Sequence, residues 1–228
     1  MYVSNLSLIC VNLKEGNIED RLAGEPISSE YLDRARVLYL RGEYKEAHDS
    51  YVTFANSDYM PIQDAKDFAA CCTEIAKTQT DYRIAGAYYR KSLSFLYRSM
   101  MALARNNMQP FIKEFEERYI DSLIGISYAC INGNENDIGE LPANKFNRYR
   151  TGMDYLRTAI LHFENLKDGD SNLGDRIGKL SSDTVFKLTT FGNSLLLNSE
   201  NARSILKESK KHQHVTDTGW FDNIYGKN

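Results

Sequence analysis

Proline is scarce in this chain of 228 residues, with only Pro26, Pro61, Pro110 and Pro142. Long stretches therefore run without the residue that removes a backbone donor and breaks a helix. Cysteine is equally scarce: Cys10, Cys71, Cys72 and Cys130. Two are adjacent, and no pair has the spacing of a zinc site or a redox loop. That excludes a disulfide scaffold and points to reduced thiols that pack as small hydrophobes in a cytoplasmic protein. No apolar run approaches the roughly 20 residues that span a bilayer. The longest early stretch, 6–11, is broken by Ser7 and followed by Asn12. Residues 1–5 hold no Lys or Arg, so no secretory leader is expected. An excess of one charge is also lacking. Lys plus Arg is 28 and Asp plus Glu is 31, for a net charge of −3. With a pI near 5.9, the composition weighs against a broad nucleic-acid footprint.

What is present is helical periodicity. Leu32, Ala35, Tyr39 and Leu40 share one helix face, as do Ala47, Tyr51 and Phe54. Ser28 or Ser29 supplies a hydroxyl to cap the first helix. Gly42-Glu43 leaves room only for a tight turn, so the first two helices fold back antiparallel. Further helices are expected over 81–107, 111–131, 144–166, 172–197 and 199–211. Residues 132–143 are rich in turn formers and read as an exposed loop. Strand signals are weak, and only 2–11 shows imperfect alternation. The expectation is an all-α chain of about seven to nine helices. It divides into an N-terminal lead-in (1–25), a helical domain (26–211) and a C-terminal aromatic tail (212–228).

The segment from Tyr31 to Tyr51 carries small and aromatic residues at telling places: Ala35, Gly42, Tyr44, Ala47 and Tyr51. Ala35 and Ala47 are small where helices cross, Gly42 closes the turn, and Tyr51 fills the groove to a neighbouring pair. Tyr82, Ala85, Tyr89 and Leu93 repeat the second half of this pattern. Ile124, Gly125 and Tyr128, followed after the loop by Tyr149, Gly152, Leu156 and Ala159, form a split third copy. The pattern resembles a tetratricopeptide repeat, specifically in the first copy and weakly elsewhere. The resemblance implies stacked antiparallel hairpins whose curved surface binds a protein or peptide. The generic alternative is a helical bundle. The inward positions of the first copy would then hold Leu32, Asp33, Arg36 and Tyr39, and those of the second Ala70, Cys71 and Glu74. This is not the Lys/Asn set of members that grip a C-terminal carboxylate. Reversing charge along that face, as in Arg36→Glu, is expected to abolish binding without unfolding.

Other patterns weigh less. Lys91, Arg98 and Arg105 recur every seven residues and form one stripe along a helix. The stripe suits an acidic peptide or a phosphate backbone, but Glu114, Glu116, Glu117 and Asp121 would neutralise it if the chain folds back at Pro110. Glu114, Glu117 and Asp121 share a face, yet no Glu-x-x-His accompanies them, so no metal site is expected. Arg157-Thr-Ala-Ile-Leu-His162 matches the loose Arg-x4-His pattern of the HEPN ribonucleases, and Arg41 with His48 fits its longer form. His212-Gln-His214 offers too few ligands for a metal. Cys71, Cys72 and Cys130 sit in apolar helical contexts that leave a thiol inert. In the tail, Trp220, Phe221, Ile224 and Tyr225 form an aromatic group that caps the last hairpin or anchors a partner.

The expected function is a non-enzymatic interaction module, an adaptor, chaperone or assembly factor with no cofactor. Its partner-binding residues are Leu32, Asp33, Arg36, Tyr39, Lys91, Arg98, Arg105, Trp220 and Phe221. A homo-oligomer also suits the aromatic content of 11%. The alternative is an all-α, metal-independent ribonuclease using Arg157 and His162.

Overall fold

The computed structural model describes residues 9–11, 20–22, 29–55, 59–133, 142–166 and 171–195. The expected helix over 199–211, most of the 132–143 loop and the tail with Trp220 and Phe221 lie outside the described residues. The fold is all-α, with seven α-helices among the described residues: α1 (Glu30–Leu40), α2 (Tyr44–Ala55), α3 (Ile62–Thr78), α4 (Tyr82–Arg105), α5 (Ile112–Asn132), α6 (Pro142–Asn165) and α7 (Ser171–Leu195). Three short strands, β1 (Ile9–Val11), β2 (Asp20–Leu22) and β3 (Met60–Pro61), form an antiparallel ribbon in the order β2-β1-β3. The alternation read over 2–11 contracts to β1. Strands of two or three residues are too short for a period of two to show in the sequence. Pro61, which cannot donate to a ladder, sits on the edge strand β3 beside Cys10.

Local chemistry sets the helix ends. Ser29 caps α1, its Oγ accepting the Leu32 backbone N–H at 3.1 Å. Gly42 follows α1 with a φ of +76°, a conformation that costs glycine little. The Gly42 N–H donates to the Tyr39 carbonyl and the Glu43 N–H to the Leu38 carbonyl, closing a Schellman turn. Asn107 does the same after α4 at φ 57°, with Met108 N–H reaching the Leu103 carbonyl. Asp81 caps α4 through the Arg83 N–H at 2.8 Å. Pro110 sits in a 3-10 turn between α4 and α5, and Pro142 begins α6.

The chain divides into two compact units, residues 1–125 and 126–228, so the boundary falls within α5. In the first unit, α1 packs on α2, α2 on α3, and α3 along α4, while β1 lies against α3 and α4. Its core stacks Phe68 between Tyr51 (5.5 Å between centroids) and Phe95 (4.5 Å). Ala35 and Ala47 are fully buried where the helices approach. Thr73 of α3, Ser92 of α4 and Ser122 of α5 form a buried hydroxyl triangle with all three edges at 3.0 Å. Gly125 leaves room for the Tyr89 ring, which a Cβ would overlap. In the second unit, α6 packs on α7. Gly152 of α6 meets the end of α5 closely, since a Cβ there would stand 2.8 Å from Ile131 Cγ1. Buried Arg148 donates from Nη1 to the Cys130 carbonyl at 2.6 Å, placing a cation at the C-terminus of α5.

Candidate functional site

The first half of α3 carries polar residues inside an otherwise apolar helix. Asp64, Asp67, Cys71 and Glu74 are spaced by three and four residues, which puts them on one face. That face meets α1 and α5. Asp64 is buried and receives both arms of Arg36, from Nε at 2.7 Å and from Nη2 at 2.8 Å. This bidentate geometry is the strong form of the carboxylate–guanidinium bond. Arg36 also reaches Asp33 at 3.1 Å. Its pKa is raised above its ordinary value, chiefly by the Asp64 hydrogen bond. Buried Lys66 pairs with Glu114 of α5. Tyr39 of α1 has its pKa raised mainly by burial and further by Asp67, while Arg118 of α5 opposes the rise.

Asp67 lies among these groups. Burial pushes its carboxyl up to about 6; Asp64 and Glu114 add to the rise, and Lys66 and Arg118 oppose it. Beside it, the Tyr51 hydroxyl is buried without a hydrogen-bond partner. Burial, reinforced by Asp64 and Asp67, makes that phenol much harder to ionise. The face thus presents a partly exposed carboxylate, Asp67, above a phenol that is sealed in the core. The sequence signal for Asp64 and Asp67 is their three-residue spacing among the apolar residues of α3.

The expected binding residues fall in several places. Asp33, Arg36 and Tyr39 join this face. Leu32 does not: it is fully buried in the core, because its position on α1 faces α2 and α3 rather than a groove. Ala70 and Cys71 are buried as well, and Glu74 pairs with Lys77 at 2.7 Å. Lys91 stands apart, with its Nζ 3.1 Å from His48 Nε2 and 5.2 Å from the Phe68 ring centroid. Glu114 of α5 pairs with Lys66 of α3, and Asp121 stands 3.9 Å from Lys77.

Buried His48 is flanked by Phe68 and Tyr88. Its Nδ1 is 3.0 Å from Asp49 Oδ1. Desolvation lowers its pKa, Lys91 reinforces the fall, and Asp49 opposes it. The neutral tautomer that satisfies both contacts donates from Nδ1–H to Asp49 and accepts at Nε2 from Lys91. Burial pushes the Cys72 thiol up to about 12 and the Cys71 thiol beyond the ordinary range, so neither is a ready nucleophile. Arg157 lies 3.3 Å from Asp154, and His162 is half-buried on the same helix. Five residues of helix turn the two side chains about 140° apart. Among the described residues, no cluster of three His, Cys, Asp or Glu is placed to hold a metal, and no helix is long and apolar enough to cross a membrane. No family model, curated protein or solved structure matches the chain.

Proposed function

We propose that this chain is a non-enzymatic interaction module of tetratricopeptide type that engages a protein or peptide partner on the face shared by α1, α3 and α5. One observation carries the reading: Asp67, partly exposed on this face, is withdrawn from water without full compensation among Tyr39, Asp64, Lys66 and Arg118. A partner donor that satisfies Asp67 recovers part of the cost of burying it. Partly exposed aromatic and arginine side chains at the rim are the residue types that dominate interface energies.

The Arg36→Glu variant is unsuited to the test, because it would leave Asp64 buried against a second carboxylate. Asp33→Lys and Arg118→Gln change the rim while leaving the Arg36–Asp64 pair in place. Affinity purification of the full chain from its native cell should yield a stoichiometric protein that both variants lose at unchanged helix content. Equal recovery with both variants refutes the assignment of this face. Co-purifying RNA, with cleavage abolished by His162→Ala, would replace the reading with a ribonuclease.

A further inference from the structure

His48 of α2 is buried, yet both of its ring nitrogens are engaged by charged groups. Nδ1 stands 3.0 Å from Asp49 Oδ1 on the same helix, and Nε2 stands 3.1 Å from Lys91 Nζ on α4. A lysine ammonium donates and cannot accept, so the Nε2 that receives it carries no proton. This contact between α2 and α4 is therefore made by a neutral ring. Aromatic walls complete the site: the Phe68 ring of α3 lies 5.2 Å from the imidazole and the Tyr88 ring of α4 lies 5.6 Å away, centroid to centroid. Lys91 Nζ is also 5.2 Å from the Phe68 centroid, so the ammonium is turned inward. Among the described residues, Asp49 and Lys91 are the charged groups that act on the ring, and α1 adds none. From α3 comes the Cys72 thiol beside Lys91, which burial keeps protonated.

We propose that His48 and Lys91 form a proton-operated latch between α2 and α4, closed by the neutral ring and opened when a proton on Nε2 expels the Lys91 ammonium to water. The device goes beyond the partner reading and does not depend on it. Protonation turns Nε2 from an acceptor into a donor. Two cationic donors then face each other at 3.1 Å, and the contact that joined the helices becomes repulsive. The two sides of the ring respond differently. At Nδ1 the donor is unchanged and Asp49 gains a cationic partner, so that contact strengthens. At Nε2 the bond is lost. Lys91 is the group that yields, because it is half-buried on a long flexible stem, whereas His48 is held between two aromatic rings. Its departure also uncovers the face of Phe68. Burial, reinforced by Lys91 and opposed by Asp49, holds the ring's pKa below 6.5, so the latch is shut at neutral pH and opens on acidification.

The test is a side-chain NMR titration of the full chain from about pH 7.5 to about pH 4.5, with circular dichroism following helix content. The His48 ring signals should titrate with a midpoint below 6.5. The Lys91 ε-methylene should shift with the same midpoint as it leaves the ring current of Phe68, at unchanged helix content. Lys91→Gln removes the neighbouring charge and should move the His48 midpoint up by several tenths of a pH unit. His48→Gln supplies a carbonyl that accepts from Lys91 at every pH in the range, and should hold the Lys91 shift flat. A Lys91 shift that ignores the His48 titration, or that persists in His48→Gln, overturns the latch. So does an unmoved midpoint in Lys91→Gln, or loss of helix before His48 titrates. Should a variant fail to fold, the titration of the unmodified chain decides by itself, since the two side chains either share a midpoint or do not.

Discussion

Replacing Asp67 with asparagine should stabilise the protein at neutral pH, and the structure sets both the size and the sign of the effect. The Asp67 carboxyl is raised from 3.8 to about 6, first by burial and then by Asp64 and Glu114. A change of that size corresponds to about 3 kcal/mol between the two protonation states. The folded state holds the proton up to about pH 6, whereas the unfolded chain releases it near 3.8. Between those values the folded state binds more protons, so this residue's contribution to stability falls as pH rises. Above pH 6 the whole cost is present. Asp67→Asn removes the charge at nearly constant volume, while its amide keeps some desolvation cost of its own. The expected gain is about 1–3 kcal/mol at pH 7.5, shrinking towards zero near pH 4. Urea unfolding followed by circular dichroism, repeated at both pH values for both chains, measures the difference. A destabilised variant at pH 7.5, or a gain of equal size at pH 4, would refute the account of Asp67 as an undercompensated carboxylate.

His48 should act with the opposite sign. Its folded pKa lies below 6.5, so the unfolded chain binds more protons as pH falls through that value, and stability declines there. His48→Gln should flatten the decline in a thermal-melt series; an unchanged slope counts against the neutral tautomer. Thr73→Val should cost about 1 kcal/mol, because Ser92 and Ser122 still satisfy each other. Removing all three hydroxyls, as Thr73→Val/Ser92→Ala/Ser122→Ala, should cost less than the summed singles, and additivity in urea unfolding would deny the network. Gly125→Ala should destabilise by about 1–3 kcal/mol, since the new methyl overlaps the Tyr89 ring. Gly125→Ala/Tyr89→Leu should recover much of that loss, and no recovery in the double variant would place the strain elsewhere.

Most of the described helices, though not the bounds of α3, and the chemistry of several of their ends are legible from local sequence. Ser29, Gly42 and the prolines act on neighbours within a few residues, so their effects are legible without a fold. Ala35, Ala47 and Tyr51, read as packing residues, are all fully buried. The α4 stripe was equally legible, because one helix and its period place Lys91, Arg98 and Arg105 in a row. What each face meets is set by how the helices pack. Leu32 and Tyr39 share a face of α1, yet Leu32 is in the core and Tyr39 is half-exposed at the rim, beside Arg118 from 79 residues further along the chain. The partner of Arg36 is Asp64, and that of Glu114 is Lys66 of α3 rather than an arginine of α4. The charge state of Asp67 depends on its burial and on Lys66, Asp64, Arg118 and Glu114, two of which come from α5. Periodicity specifies direction around one helix axis. Burial, ion pairing and pKa are properties of what stands opposite, and that is set when distant segments pack.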